Sequence, residues 1–119
     1  MASLFKRILF ATDFSTCAER ALGYALTLTD LWKSELTVMT VLELYPGMDP
    51  DYTVNKMYLD HLRDEGTRQL ASLETRVKAA GRAIATRIDV GIPSQCVQAV
   101  AEEIDADLLV VGTDRKSVV

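Results

Sequence analysis

Two short apolar runs that do not alternate with polar residues place the strongest limit on how this chain can fold. The first covers residues 8–11 and leads into Asp13, and the second covers residues 108–111 and leads into Gly112. A strand without alternation is buried on both faces, like the central strands of a parallel sheet covered by helices. In such a sheet, the loops that follow the carboxyl ends of the strands line the ligand crevice. We therefore predict that Asp13 and Gly112 lie at the functional edge.

The composition is that of one soluble globular domain. The chain has 119 residues, of which 49% are hydrophobic and 25% charged, and its formal net charge is −4. This length supports a single core. No cluster of basic residues is larger than the pair Lys6 and Arg7, so nucleic acid is not an expected partner. No apolar stretch has the length of a membrane span or of a signal-peptide core, so we predict no membrane partner and a cytoplasmic location.

Strand and helix patterns alternate along the chain. The apolar patterns predict four strands, at residues 6–12, 36–42, 84–90 and 107–113. Helices are predicted to begin at Ser15 or Thr16, to run over residues 53–80, and to begin again near Pro93. Residues 16–19 also fit a capping box at the start of the first helix. This alternation predicts an α/β fold with a doubly wound parallel sheet.

The third predicted strand fixes the order of the sheet. Its residues alternate strictly between apolar and polar, so one face is wet and the strand belongs at an edge. Right-handed crossovers then give the strand order three, two, one, four. The direction of winding reverses between strands one and four, and ligands bind at such a switch point. We therefore expect residues 11–13 to lie beside residues 111–113.

The sequence contains few residues of the types that commonly act in catalysis or bind a metal. It has one histidine, His61, and two cysteines, Cys17 and Cys96, without the spacing of a metal site. We assign no metal-binding residue and interpret both cysteines as small buried residues. The chain also lacks the HxGH and SGGxDS motifs that nucleotidyl-transferring proteins of this architecture carry. We therefore predict that the protein is not an enzyme.

Four segments, in order along the chain, resemble the universal stress protein family. They read RILFATDFS, AERAL, GIP and ADLLVVGT, and the resemblance covers residues 4–113. It implies a sheet of five parallel strands in the order three, two, one, four, five, a homodimer in the intact parent, and a role in the response to stress. Many members of the family bind ATP, so the resemblance implies adenine nucleotide, with Mg²⁺ in the intact parent, as ligand.

The resemblance also implies a set of nucleotide-binding residues. In nucleotide-binding members, the aspartate after the first strand and the two residues before it lie at the nucleotide, and Asp13 matches this aspartate. Val41 matches the residue that offers backbone hydrogen bonds to adenine, and Gly112 matches the first glycine of the phosphate loop. With the neighbours of Gly112 included, the candidate nucleotide-binding residues are Ala11, Thr12, Asp13, Val41, Val111, Gly112 and Thr113.

The end of the chain departs from the family pattern. Arg115 stands where the second glycine of the phosphate loop is expected, and the sequence ends at Val119 before the last glycine of that loop. Since those glycines let backbone amides approach phosphate oxygens, we predict weak or absent ATP affinity for this chain. We interpret residues 1–113 as an incomplete domain without the fifth strand. Residues 114–119 do not match the family, and either a broken reading frame or a genuine short variant explains them.

Two functions stay open from the sequence alone. One is an ATP-binding stress protein in which nucleotide occupancy is a regulatory signal. The other is a stress protein that binds no nucleotide and acts as a dimerising interaction module.

Single residues also have local interpretations: Asp13 as the acceptor of a hydrogen bond within its own turn, Gly112 as a turn residue, and Gly66 as a site of close approach between helix and sheet. Without a fifth strand, residues 108–111 form an apolar edge that favours association.

Overall fold

Strands and helices alternate along the chain, as the sequence predicts. The computed structural model describes residues 5–43, 49 and 52–112. The elements in chain order are β1 (Arg7–Thr12), α1 (Thr16–Trp32), β2 (Glu35–Glu43), α2 (Thr53–Ala79), β3 (Ile84–Gly91), α3 (Pro93–Glu103) and β4 (Leu108–Gly112). For the first three strands and the long helix, these bounds lie within one residue of the predicted ones.

The four strands of the described residues form one parallel sheet in the order β3-β2-β1-β4. This confirms the predicted fold class and strand order. Ala11 of β1 pairs with Met39 of β2 on one side and with Val111 of β4 on the other. Because β1 and β4 are adjacent and parallel, the turns that follow them open at the same edge of the sheet.

The core has two parts, one on each face of the sheet. Ile8 and Phe10 of β1 pack with α1 and α2, whereas Leu9 and Ala11 pack with α3. The first part consists of Ile8, Phe10, Ala18, Leu22, Ala25, Leu36, Val38, Leu70, Leu73 and Val77, and the second of Leu9, Ala11, Met39 and Val100. Strand β1 is therefore buried on both faces, as its non-alternating sequence predicts.

Strand β4 differs from the prediction that it is buried on both faces. Leu108 and Val110 pack against the core beside α1, but Leu109 is 42% exposed and Val111 is 52% exposed. Helix α3 packs over β2 and β3 and over the adjacent part of β1, and no described helix covers this face of β4. The prediction was wrong because an apolar run shows that a strand can be buried. It does not show that a helix lies over it.

Helix α1 begins with a side-chain cap, although not with the predicted capping box. The N-cap residue is Ser15, whose Oγ accepts a hydrogen bond from the Ala18 amide at 3.1 Å. The capping box from Thr16 to Glu19 was wrong because the Glu19 carboxylate bonds the Arg76 guanidinium of α2 instead, at 2.6 Å. This hydrogen bond lowers the pKa of Glu19. It also ties the first turn of α1 to the end of α2.

Helix α2 ends where the sequence predicts, at Gly81. This residue has φ of 85°, a left-handed conformation that glycine adopts without steric cost. Its amide donates to the Lys78 carbonyl at 2.9 Å, and the Arg82 amide donates to the Val77 carbonyl at 3.2 Å. These two hydrogen bonds form a Schellman motif, which satisfies carbonyls that the helix end leaves open.

The third strand is at the edge of the sheet, as predicted, but its polar face is partly covered. The half-buried Arg87 guanidinium bonds the Asp89 carboxylate at 2.7 Å and also the Glu103 carboxylate at the end of α3. These hydrogen bonds, first that of Glu103 and then that of Asp89, raise the pKa of Arg87 further above its ordinary value. The ion pairs thus attach α3 to the outer strand.

The two cysteines have different environments. Cys96 is half-buried in α3, and burial, followed by the nearby Asp89 charge, raises the pKa of its thiol. Cys17 in the first turn of α1 is exposed, so its interpretation as a buried residue was wrong. The start of α1 turns this position away from the core, while Ala18 next to it is buried.

Candidate functional site

A cleft of about 730 Å³ opens at the carboxyl edge of the sheet. It lies at the switch point between β1 and β4, where the sequence predicts the site. The ends of β1, β2 and β4 form one part of it, and α3 forms the opposite wall. Its lining residues are Ala11, Thr12, Asp13, Thr40, Val41, Glu43, Pro93, Ser94, Val97, Gln98, Ala101, Leu109, Val111 and Gly112.

The structure brings the predicted site residues together in this cleft. Those that line it are Ala11, Thr12, Asp13, Val41, Val111 and Gly112. Thr113 lies outside the described residues, as do residues 114–119 and most of the loop at residues 44–51. The positions of the described candidates therefore agree with the predicted geometry, while their roles in binding stay predictions.

Side-chain hydrogen bonds hold the turn that follows β1. The Thr12 hydroxyl accepts from the Phe14 amide at 2.9 Å, and the Asp13 Oδ1 accepts from the Ser15 amide at 2.9 Å. Phe14 takes a left-handed conformation with φ of 62°. The buried Thr40 hydroxyl of β2 donates to the Thr12 carbonyl at 2.8 Å. The edge of the cleft is therefore preorganised, and the local interpretation of Asp13 as a turn-forming residue is confirmed.

The Asp13 carboxylate can accept further hydrogen bonds in addition to the one from the Ser15 amide. The side chain is exposed and lines the cleft. Its Oδ2 has no hydrogen-bond partner within residues 5–43, 49 and 52–112. A carboxylate oxygen accepts hydrogen bonds from hydroxyl groups and is a ligand for hard cations. Asp13 can therefore form its turn and contact a ligand at the same time.

Gly112 is a packing residue at the end of β4. A Cβ at this position would lie 2.6 Å from the Ala18 Cα, 2.6 Å from the Ala21 Cβ and 2.8 Å from the Cys17 carbonyl oxygen. Real Cβ atoms essentially never approach other heavy atoms so closely. The glycine is therefore required for the contact between β4 and the first turns of α1. Contact between Gly112 and a phosphate stays a prediction.

The α3 wall of the cleft was not among the predicted site residues. Four of its residues follow the spacing of one helical face, at positions 94, 97, 98 and 101. Val97 and Ala101 pack against the core, whereas Ser94 and Gln98 are exposed. Apolar and polar residues share this helical spacing, and the spacing was the sequence signal from which the wall could have been predicted. From the sequence, only the existence of a helix that begins near Pro93 was predicted.

Two features fix the position of α3 relative to the sheet. At its end, Glu103 bonds Arg87 of β3. Before its start, Gly91 has φ of 150°, and a Cβ there would lie 2.9 Å from the Cys96 Sγ. The backbone conformation of Gly91 therefore favours glycine, and any larger residue would also displace the Cys96 thiol. These contacts, together with the buried Val100, set the distance between α3 and the strand ends.

The lining of the cleft is apolar at the base and carries uncharged or acidic groups elsewhere. Leu109 and Val111 form an exposed apolar surface on β4. Asp13 and Glu43 are acidic, and no lysine, arginine or histidine occurs among the described lining residues. Such a cleft suits a planar apolar ring with a few polar groups at its edge.

The described residues offer neither a metal site nor a membrane-spanning helix. They contain no group of three or more histidine, cysteine, aspartate or glutamate side chains arranged to hold a metal ion. None of the described helices combines the length and apolar character that a membrane span requires.

Comparison with known proteins identifies the family. The sequence model of the universal stress protein family matches residues 4–118. The chain belongs to the universal stress protein family. A universal stress protein from Methanocaldococcus jannaschii is 26% identical to it over 116 residues, which cover 97% of this chain and 68% of the relative. The resemblance inferred from the sequence motifs is therefore confirmed.

Solved structures of universal stress proteins share this fold. A family member from Burkholderia pseudomallei has 32% identity and a TM-score of 0.78, over 95% of this chain and 85% of that one. A universal stress protein solved in complex with cAMP has 28% identity and a TM-score of 0.69, over 92% of this chain and 77% of that one. The four-stranded parallel sheet described above is thus the sheet of the universal stress protein fold.

Proposed function

We propose that this universal stress protein binds an adenine nucleotide in the cleft between β1, β4 and α3. Occupancy of the cleft then acts as a signal in the response to stress, without catalysis. The observation that carries the proposal is the position of the cleft at the switch point, with Asp13 and Gly112 at one edge as the sequence predicts. A similar protein solved in complex with cAMP supports the same ligand class.

The lining supports specific roles for individual residues. The adenine ring would lie on the apolar surface of Leu109 and Val111, with Val97 of α3 opposite. The free acceptor of Asp13 suits a ribose hydroxyl. If ATP binds with Mg²⁺, Asp13 is also the carboxylate best suited to hold the cation together with phosphate oxygens. Val41 lies in the same cleft, consistent with the adenine contact that the family resemblance implies.

A binding role explains the described lining better than a catalytic role. The residues that line the cleft include two hydroxyl groups of threonine and one of serine. No histidine or lysine stands among them to act as a general base beside such a hydroxyl. The Asp13 Oδ1 accepts from the Ser15 amide, and neither carboxylate oxygen is bonded to a hydroxyl group of the described residues. We therefore propose a sensor of ligand rather than an enzyme.

The second candidate function is that of a dimerising interaction module without a nucleotide. One observation favours it: Leu109 and Val111 expose an apolar surface on a strand that, among the described residues, pairs on one side only. A cytoplasmic location and a homodimeric assembly belong to the same proposal and stay predictions.

Calorimetric titration of cAMP, AMP and ATP, with MgCl₂ present, tests the proposed binding. We expect heat of binding for at least one ligand, and a rise in the thermal unfolding midpoint at saturating ligand. The variant V111Q should weaken that binding by about tenfold, since it removes apolar contact with the ring. Y24Q is the matched control, because Tyr24 is exposed on α1 outside the cleft. The proposal fails if none of the three ligands binds.

A further inference from the structure

We propose that Gln98 of α3 recognises the amino edge of the adenine ring and so sets the base specificity of the cleft. This inference rests on the proposed function and deepens it, because it names the group that distinguishes adenine from a purine without the amino group. Three observations support it: the position of Gln98 on the cleft wall, its free amide, and the hydrogen-bonding capacity of the other lining side chains.

Gln98 lies on the cleft wall directly after a residue that packs against the core. That residue is Val97, and the proposed function places the adenine ring between it and the apolar surface of Leu109 and Val111. Successive side chains of a helix point about 100° apart, so the side chain that follows Val97 does not lie over the same ring face. Gln98 is therefore placed beside the ring, where its long side chain can reach the ring edge.

The Gln98 amide is free to bind a ligand. The residue is exposed, and its side chain makes no hydrogen bond within residues 5–43, 49 and 52–112. A primary amide presents an acceptor oxygen and a donor nitrogen in one plane. Adenine presents the complementary pair, because its amino group donates and the ring nitrogen beside that group accepts. Glutamine forms such a bidentate pair with adenine in protein–nucleic acid complexes, and Gln98 can form the same pair here.

No other described side chain of the lining combines a donor and an acceptor in this geometry. Thr12, Thr40 and Ser94 each carry a single hydroxyl, and that of Thr40 already donates to the Thr12 carbonyl at 2.8 Å. The ionised carboxylates of Asp13 and Glu43 accept hydrogen bonds but do not donate them. The remaining lining residues have no side-chain hydrogen-bonding group: Ala11, Val41, Pro93, Val97, Ala101, Leu109, Val111 and Gly112. The α3 amide is therefore the one described side-chain group that matches adenine on both counts.

The inference predicts a preference for the amino group itself. A purine in which hydrogen replaces this group keeps the hydrogen bond to the ring nitrogen but loses the one to the amide oxygen of Gln98. The loss of one such hydrogen bond weakens binding by about three- to tenfold. The parent chain should therefore bind an adenine ligand more tightly, by this factor, than the purine analogue.

The test uses pairs of ligands that differ only in the amino group. cAMP, AMP and ATP are each titrated calorimetrically into the full chain, together with the corresponding purine riboside phosphates. The pair that contains the most tightly bound adenine ligand gives the affinity ratio. Because both members of a pair carry the same phosphates, phosphate contacts cancel from this ratio.

Q98L and Q95L form a matched pair of variants. Both replace an exposed glutamine of α3, but Gln95 does not line the cleft. Leucine is a good helix former, so both variants should unfold at about the same temperature as the parent. Q98L should lower the affinity ratio by about threefold or more, because it removes the amide. Q95L should leave the ratio unchanged.

Q98E separates the acceptor of the amide from its donor. The carboxylate can still accept from the adenine amino group but can no longer donate to the ring nitrogen. Q98E should therefore weaken the binding of both ligands and retain most of the preference that Q98L loses.

The outcomes separate this inference from the proposed function. If the parent chain shows no preference for the amino group, or if Q98L keeps that preference, the inference is overturned while adenine-nucleotide binding stands. A preference kept in Q98L would assign the amino group to a backbone group such as that of Val41. A preference lost in Q95L as well would show a general effect on α3 and would also overturn the inference. If none of the three adenine ligands binds, the proposed function fails and the inference fails with it.

Discussion

Gly112 at the end of β4 lies in direct contact with the backbone of Ala18 in α1: a Cβ on the glycine would be 2.6 Å from the Ala18 Cα. Ala18 is buried in the same core cluster as Leu22 and Ala25 of α1, so packing holds α1 against the sheet. The contact therefore sets the distance between β4 and the turn that carries Asp13. The edge of the cleft that carries Asp13 and Gly112 depends on this contact.

The first prediction concerns this contact. G112A should lower the free energy of unfolding by about 1–3 kcal/mol, because overpacking forces backbone to move. The matched control is G23A, at an exposed position of α1 where a Cβ meets nothing within 4 Å. It should raise the free energy of unfolding by up to about 1 kcal/mol through helix propensity. Urea denaturation measures both, and a G112A variant as stable as the parent chain would show that the contact is loose.

A second prediction distinguishes Gly66 from Gly112. Gly66 is buried in α2, but a Cβ there would contact Ile88, Leu42 and Thr40 side-chain atoms at 3.7 Å, an ordinary van der Waals distance. G66A should therefore stabilise the protein by about 0.5–1 kcal/mol, because alanine is the better helix former.

The comparison variant for Gly66 is G81A. Gly81 has open space around it but a φ of 85°, so an alanine there is strained and should cost about 1 kcal/mol. Thermal denaturation of the two variants should thus shift the midpoint in opposite directions. If G66A is the destabilised one, helix α2 lies closer to the sheet than described.

The sheet was predictable because its order depends on patterns within single strands. Strict alternation in β3 indicated an edge, and the non-alternating run in β1 indicated a central strand. Handedness then left one order, and that order brought Asp13 near Gly112. The half of the cleft made by the strand ends therefore followed from the sequence.

The other half of the cleft was not predictable from those patterns, because it depends on how far each helix reaches. Helix α3 packs over β2, β3 and the adjacent part of β1, and no described helix covers the same face of β4, which leaves Leu109 and Val111 exposed. Helix α3 is held by the buried Val100 and by an ion pair between Arg87 and Glu103, residues that lie 16 positions apart in the sequence. Likewise, Glu19 bonds Arg76 of another helix instead of its own helix start. Tertiary packing determines which charged side chains form ion pairs, so these pairs could not be predicted from patterns within single elements.

A third prediction concerns stability at acidic pH. The Asp107 carboxylate accepts the backbone amides of Lys6 at 2.8 Å and Arg7 at 3.0 Å, which joins the start of β1 to the start of β4. The Arg7 amide first, and then the Lys6 amide, lower the pKa of Asp107 below the 3.8 of an unperturbed aspartate.

The sign of the pH dependence follows from this lowered pKa. The folded state binds the proton more weakly than the unfolded state, so the stabilisation by Asp107 is complete above about pH 4 and is lost as the pH falls through its folded pKa. D107N should be less stable than the parent at pH 7, and the difference should shrink towards pH 2. Chemical denaturation at a series of pH values measures this, with D105N as the control. A difference independent of pH would contradict the charge-based account.

The last prediction concerns association through β4. Within the described part of the chain, this strand pairs only with β1, and its outer face exposes Leu109 and Val111. An open strand edge beside an apolar surface is a template for pairing with another chain. Light scattering after size-exclusion chromatography should therefore show a mass that rises with protein concentration.

L109K should weaken this association by about tenfold or more, because it places a charge on the contact surface. L31K is the matched control, since Leu31 is 68% exposed on α1, away from β4. A chain that stays monomeric at every concentration, or one whose association L31K weakens as much as L109K, would exclude β4 as the contact.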